Sequence, residues 1–316
     1  MSKHYLSIDV GGTLIKYALM DETGAVLDSA SRPTPAISFQ PTAEEKAQGR
    51  QDFENALTEI YKQYAGDLFG IALSCPGKVD TAEGVIYYGG ALPYLHEFPA
   101  QTFLEELSGL PAIVLNDGKA AALAEFWNGG LVGVNNGSVL ILGTGLGGGL
   151  ILNGQLHQGS HFQAGELSML NFDDKTFKLE EAAGMKYSPV QMIMAIAEQL
   201  GLEDKKDGIA VFEAINARDE RAWPIFQDFC RHIAIVIYNQ QAIVDLKRVV
   251  IGGGISAQPI VVEEIRRQYR DLLGKLEIFG DMITPVEIEA CHYVGTSNLV
   301  GALYQLLLEE GKHAAG

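Results

Sequence analysis

Asp9-Val10-Gly11-Gly12-Thr13-Leu14-Ile15-Lys16 is the stretch on which the fold turns. The residues before it, Tyr5 to Asp9, and after it, Leu14 to Met20, are mostly aliphatic and aromatic, so they read as two strands around a glycine turn. Asp21-Glu22-Thr23-Gly24 supplies the next turn, ahead of a third strand at Ala25 to Ser29, and the chain opens as a meander. The first turn sets a carboxylate at a strand end, two residues without Cβ, then a hydroxyl and an amine. Such a set can hold a phosphate, because bare N–H groups approach it closely, Thr13 donates and Lys16 adds charge. Asp9 can hold a magnesium ion, directly or through water. A plain hairpin with a glycine turn has the same outline, and this stretch alone leaves both readings open.

The same plan recurs from Ser138. Val139 to Leu142 reads as a strand, Gly143-Thr144-Gly145-Leu146-Gly147 as a turn, Gly148 to Leu152 as a strand, and Asn153-Gly154 as a hairpin signal before Gln155 to His157. The glycines fit G-x-G-x-x-G, but a dinucleotide loop must open a helix, whereas Leu150-Ile151-Leu152 continues as strand. A second phosphate loop and a close backbone crossing both survive. Gly252-Gly253-Gly254 follows a buried-type strand at Arg248 to Ile251 and precedes a helix at Pro259 to Leu273, where bare backbone can accept a flat base or a ribose, or serve packing. No G-x-x-x-x-G-K-[ST] string is present, which excludes a P-loop template.

Two matching glycine hairpins predict a duplicated α/β architecture in two lobes. Between them, Gly70 to Cys75 and Ile113 to Leu115 read as strands, and Lys119 to Asn128 as an Ala-rich helix ending at Gly129-Gly130. The second half is mostly helical: Ser188-Pro189 opens a helix to Leu200, and an amphipathic stretch runs from Glu220 to Val244, with Pro224 tolerated in its first turn. Ser297 to Glu310 closes the chain as a helix. The polar, Pro-containing segment Pro33 to Gly49 reads as a loop. The division expected is residues 1–117 for the first lobe and 118–296 for the second, with a closing helix of about 297–312 packing back on the first.

Composition narrows the partners. The chain has 316 residues, 47% hydrophobic and 20% charged, enough for a large core. A formal charge of −17 repels nucleic acid and anionic membrane surfaces. Cys75, Cys230 and Cys291 lie far apart, with no thiolate zinc pattern and no disulfide framework. The N-terminus runs straight into a strand-like segment, so no secretory leader is expected, and the most apolar run, Ser138 to Leu152, is broken by glycines. A cytoplasmic location is expected.

Taken together, the three glycine loops resemble the phosphate 1, phosphate 2 and adenosine elements of the actin, Hsp70 and sugar-kinase superfamily. Within it the chain resembles the ROK family, through Asp9-Val-Gly-Gly-Thr13, Ser74-Cys-Pro-Gly-Lys-Val-Asp80, Asn116-Asp117, Gly143-Thr-Gly-Leu-Gly-Gly-Gly149 and Ala164-Gly-Glu166. The resemblance implies an actin-like ATPase fold, RNase H-like in each of two lobes, with ATP and a sugar in the cleft between them. It implies ATP at Asp9, Gly11, Gly12, Thr13, Lys16, Gly143, Thr144, Gly145 and Gly252 to Gly254, with Mg²⁺ as cofactor. It also implies that Asp117 is the catalytic base, that Asn116 bonds a sugar hydroxyl, and that the protein is a homodimer. Chemistry agrees on Asp117, since phosphoryl transfer needs a carboxylate aimed at the attacking hydroxyl. A helix N-cap is the competing role for the same residue.

The sequence departs from the family at one place. Glu166 matches the acid of the G-E-x-G-H motif, but the string reads Gly165-Glu166-Leu167-Ser168-Met169, so the histidine that ligates zinc in zinc-containing members is absent. The C-x-C-G-x-x-G-C loop that follows it is absent too, and no zinc site is expected. Glu180 is the better match for the family's second sugar-binding glutamate, with Glu181 the alternative and solvated surface acids the competing reading. His157 and His161 flank a loop near where the sugar is expected, where polar surface is the plainer role. The activity implied is phosphorylation of the C6 hydroxyl of a glucose-type sugar. The acceptor is either a free hexose or the non-reducing unit of a β-glucoside such as cellobiose, for which Gly89-Gly90-Ala91-Leu92-Pro93 is also suggestive. N-acetylmannosamine and fructose are alternative substrates. A sugar-sensing regulator would carry a DNA-binding domain ahead of the core, which here begins within ten residues of Met1.

Overall fold

The computed structural model describes residues 3–38, 40–172, 175 and 177–311. By contact the chain forms two compact units: the first runs to Asn128 and adds Gly154–Ala164 and everything from Thr296, and the second comprises Gly129–Asn153 and Gly165–Gly295. By contact the first stretch ends after Asn128, and the helix beginning at Asp117 packs on the closing helix. The expected end of the closing helix, at about residue 312, lies outside the described residues.

In the first unit the strands are β1 (His4–Val10), β2 (Leu14–Asp21), β3 (Val26–Pro33), β4 (Leu68–Cys75), β5 (Lys78–Asp80), β6 (Val85–Tyr88) and β7 (Ala112–Asn116). Its helices are α1 (Ala43–Tyr64), α2 (Ala100–Ser108) and α3 (Asp117–Asn128). The main sheet has the order β3-β2-β1-β4-β7, with the opening hairpins antiparallel and β1, β4 and β7 parallel. The second unit contributes β8 (Gly137–Leu142) and β9 (Leu146–Leu152), and β10 (Gln155–His157) falls in the segment that belongs to the first. Then come α4 (Ala183–Lys186), α5 (Pro189–Leu200), α6 (Gly208–Asn216), α7 (Trp223–Val244), β11 (Arg248–Gly252), α8 (Pro259–Gly274) and β12 (Glu287–Ala290), before α9 (Ser297–Glu309) in the first unit. The strands of the second unit run β9-β8-β11-β12, antiparallel in the hairpin and parallel beyond it, which repeats β2-β1-β4-β7.

One expectation fails. Ala43–Gly49 is the start of the 22-residue helix α1, not part of a loop. The cause is local: the Thr42 side chain accepts from the Glu45 N–H at 3.2 Å, and the Glu45 carboxylate accepts from the Thr42 N–H at 2.7 Å. That reciprocal pair satisfies donors that water would otherwise have to serve. The helix buries Phe53, Leu57 and Ile60 against Leu6 and Ile8 of β1 and Ile71 of β4. In the second unit, Leu140 and Ile251 pack with Ile233 and Ile237 of α7 and Ile265 of α8.

The alanines of α3 have a partner. A Cβ added at Gly301 of α9 would lie 1.6 Å from the Ala120 carbonyl oxygen, so these two helices cross backbone to backbone. The crossing is closed by the Trp127 and Tyr304 rings, stacked at 4.8 Å. Gly301→Ala is therefore expected to cost about 3 kcal/mol or more by overpacking, seen as a lowered thermal midpoint. Gly274→Ala, where an added Cβ meets nothing within 4 Å, should leave the midpoint unchanged or slightly raised.

Candidate active site

In the first unit, parallel pairing aligns the C-terminal ends of three strands: Asp9 lies opposite Ser74, and Cys75 opposite Asn116. Asp9 is buried, 8% exposed, and one of its oxygens, Oδ1, accepts from Ser74 Oγ at 2.9 Å and from Asn298 Nδ2 at 3.0 Å. Lys16 is its partner across the β1–β2 hairpin. Burial pushes the Asp9 carboxyl up from its ordinary value, while the Asn298 and Ser74 bonds and the Lys16 charge pull it down. A buried carboxylate in that balance gains from a nearby cation, so Asp9 fits a magnesium site. The turn beside it is braced by Thr34, whose hydroxyl donates to the Gly11 carbonyl at 2.7 Å and whose N–H donates to the Thr13 carbonyl at 2.9 Å. A Cβ at Gly12 would meet nothing within 4 Å, and Thr13 is exposed, so the turn presents backbone and hydroxyl to open space.

Asn116 and Asp117 divide the roles that the sequence leaves open. Asn116 Oδ1 accepts from the Lys119 N–H at 3.1 Å, the bond of an N-cap, so the capping role belongs to Asn116. Its two amide protons go to the Gly77 carbonyl at 2.9 Å and to Asp117 Oδ1 at 3.1 Å. What Asn116 can still offer a hydroxyl is acceptance at Oδ1. Asp117 Oδ1 also accepts from the Gly118 N–H at 2.8 Å, which fixes the carboxylate at the head of α3. Lys119, 3% exposed, donates from Nζ to the Phe162 carbonyl at 2.5 Å and so ties the loop after β10 to α3. His157 and His161 are exposed.

In the second unit, Gly143, Thr144 and Gly145 form the β8–β9 turn, and Gly252 to Gly254 leave the neighbouring strand β11. The glycines of the second loop split between packing and access. A Cβ at Gly253 would sit 2.1 Å from the Leu142 carbonyl oxygen, and one at Gly252 would meet Cys291 Sγ at 2.8 Å, whereas one at Gly254 would meet nothing within 4 Å. Gly254 lines a cavity of about 380 Å³ floored by Ile193, Phe212 and Ile255, with Asn216 and Gln258 supplying polar groups. Sequence reading missed the α6 wall of this cavity. It also missed Thr34, Asn298 and Lys119 as supports of the first unit's turn and strand ends. Only the capping Asp207, whose carboxylate accepts from the Ala210 N–H at 3.0 Å, announces α6 locally.

Glu166 is exposed and accepts a hydrogen bond from the Ser168 hydroxyl. Glu181 is ion-paired with Lys186, while Glu180 is exposed, which leaves Glu180 as the more available acid of that pair. Met169, where the family's histidine is absent, is 64% exposed. The ends of the shortened segment are closed by the Ala183 N–H donating to the Leu170 carbonyl at 2.7 Å and by ring contacts. Tyr187 stacks on His232 at 3.6 Å, and Phe172 lies 6.0 Å from Tyr187. Among the described residues, no group of three or more His, Cys, Asp and Glu side chains could hold a metal ion. Nor is any helix among them long and apolar enough to cross a membrane.

The match to known proteins is extensive. Residues 5–308 match the ROK family. A β-glucoside kinase of Listeria monocytogenes is 29% identical over 97% of this chain and 98% of that protein. A glucokinase of Halalkalibacterium halodurans is 31% identical over 80% of each. The crystal structure of a ROK family protein from Streptococcus pneumoniae in complex with sucrose, 28% identical, superposes with a TM-score of 0.82 over 98% of this chain and 100% of that one. The duplicated sheets are those of the actin-like ATPase fold, and the enzyme is an ATP-dependent carbohydrate kinase. The chain belongs to the ROK family.

Burial holds the His232 ring below its ordinary pKa, helped by Arg231 and Lys186, with the Asp228 carbonyl and carboxylate opposing. Its folded value lies below its unfolded one. Between the two the unfolded chain binds more protons, and the stability this ring contributes is lost as pH falls below about 6.5. His232→Phe keeps a ring against Tyr187 but cannot titrate. Thermal midpoints measured between about pH 7.5 and 5.5 should fall less steeply in that variant than in the wild type.

Proposed function

We propose that this kinase transfers the γ-phosphoryl group of ATP to the C6 hydroxyl of a glucose-type sugar, with Asp117 as base. The acceptor is free glucose or the non-reducing unit of a β-glucoside such as cellobiose. One observation carries the assignment: Asn116 makes the N-cap bond to Lys119, while the Asp117 carboxylate is oriented through Oδ1 by the Gly118 N–H and the Asn116 amide. A carboxylate so held can take the proton from the attacking hydroxyl while the new O–P bond forms and the bond to ADP breaks.

The remaining residues take supporting roles in the same reading. In the first unit, Gly11, Gly12, Thr13 and Lys16 bind phosphate oxygens, and Asp9 holds Mg²⁺ directly or through water. When bound, the ion neutralises phosphate charge. In the second unit, Gly143, Thr144 and Gly145 bind phosphate, and the cavity beside Gly254 seats the adenosine while Gly252 and Gly253 pack the loop. Glu166 and Glu180 are the family-matched acids for sugar hydroxyls, with Asn116 accepting from another. The names of the Listeria and Halalkalibacterium relatives support a glucoside or glucose acceptor, and the sucrose held by the Streptococcus protein supports one as large as a disaccharide. Met169 in place of the family's histidine removes a polar partner from the anomeric side of the sugar, and apolar side chains tolerate varied shapes there.

Asp117→Asn should lower kcat by a factor of about 10² to 10⁴ while sugar affinity stays near the wild-type value, because the amide keeps the shape but cannot accept the proton. Coupled ADP-release kinetics and calorimetric sugar binding check this, and wild-type turnover in the folded variant would remove Asp117 from the role. Metal dependence gives a second test. After chelation, Mg²⁺ alone should restore full activity, and elemental analysis of active enzyme should find no stoichiometric zinc.

A further inference from the structure

The first unit carries an aromatic pair that neither its core nor the proposed phosphoryl transfer uses. Tyr88, 55% exposed at the end of β6, lies against the ring of His96 at 4.5 Å, with 33° between the planes. A solvated surface ring needs no anchoring, yet this pair is anchored from several sides. His96 Nδ1 accepts from the Gly89 N–H at 3.1 Å, and Arg50 of α1 donates to the Tyr94 carbonyl at 2.7 Å and to the His96 carbonyl at 2.5 Å. The Tyr88 backbone is pressed on the turn after β4, since a Cβ at Gly77 would fall 1.9 Å from the Tyr88 carbonyl oxygen. That same Gly77 accepts the bond from Asn116, the residue that orients Asp117. The exposed Tyr88 ring and the half-buried His96 ring are thus linked through three contacts to the proposed base.

Substrate geometry says what such a platform is for. In a pyranose, the anomeric carbon and the carbon bearing C6 flank the ring oxygen, so a substituent on C1 lies within a ring's width of the hydroxyl offered to Asp117. An all-equatorial sugar ring or an aryl group presents a flat C–H or π face, which an aromatic surface held in place binds at little entropic cost. We infer that the Tyr88–His96 pair is the platform for the second ring of a β-glucoside, the reducing sugar or aryl aglycone attached at C1. This rests on the C6-kinase reading above and adds the residue that selects glucosides over free glucose.

The test compares glucose, methyl β-glucoside, cellobiose and phenyl β-glucoside in the wild type, Tyr88→Ala and Tyr88→Phe. Tyr88→Ala should lower kcat/KM about tenfold for cellobiose and phenyl β-glucoside, mainly through KM, and change it less than about twofold for glucose and methyl β-glucoside. Tyr88→Phe should retain the wild-type pattern, because the ring and not the hydroxyl is the contact. An equal loss on all four sugars, or no loss on any, overturns the platform while leaving the kinase reading intact. Equal loss together with a change of oligomeric state by size-exclusion chromatography assigns Tyr88 to self-association and overturns it as well. A wild type that phosphorylates glucose but neither two-ring substrate removes the glucoside reading, and the platform with it.

Discussion

The first unit is organised around one buried carboxylate. Asp9 cannot be left alone among aliphatic residues, because an unpaired charge there costs far more than a hydrogen bond returns. Its partners come from three separate parts of the chain: Ser74 at the end of the parallel neighbour β4, Lys16 across the hairpin, and Asn298 at the start of the closing helix. Satisfying Asp9 therefore fixes the register of β1 with β4 and the seat of α9. The Ser7 hydroxyl adds a second tie, donating to the Leu299 carbonyl at 2.7 Å one pleat away. With α9 placed, α3 is placed, since the two cross at Gly301 and Ala120, and with α3 comes Asp117. The acid that fits a cation and the acid that fits a base are held by one framework.

Much of this was legible in the sequence. The glycine hairpins, the strands at Gly70, Ile113 and Arg248 and the helices after Ser188, Gln258 and Thr296 follow from periodicity and turn chemistry, which act within a few residues. Helix α1 was equally local and was missed in its first turns, although Thr42-Ala43-Glu44-Glu45 has the spacing of a capping box; the polar, proline-containing stretch before it outweighed that signal. Asn298 was not legible by any such route. It lies 289 residues from Asp9, and an amide one position inside a helix looks like any other until the fold brings it to a carboxylate. Lys119 is similar, since a lysine in an Ala-rich helix reads as solvated, and only the tertiary structure closes the Phe162 loop over it.

The glycine loops show what sequence alone could not divide. Each triplet offers close packing and ligand access as competing explanations, and both hold at different positions of one loop. Gly253 is where strand β11 and the end of β8 meet without room for a side chain, while Gly254, one residue on, faces the cavity. A substitution at the first would strain the backbone contact, and one at the second would fill the cavity. Loss of activity alone would not tell these apart, because the failures belong to different links, packing in one case and binding in the other.

The missing metal loop has a physical consequence for how this branch is built. A structural zinc site holds its loop by ligation, and a chain without its histidine and cysteines must hold the same boundary by other means. Here the segment ends are joined by the Leu170–Ala183 bond and the Asn171–Ala182 bridge, and the rings of Phe172, Tyr187 and His232 pack across them. Ring packing is weaker than coordination and less directional, and it leaves Met169, Leu179 and Met185 exposed. Coordination fixes a wall at one distance from a sugar, whereas apolar side chains with free rotamers accept more than one outline. Under the glucoside reading proposed above, the absent loop and a broader anomeric end are two aspects of one change in the material from which that part of the protein is made.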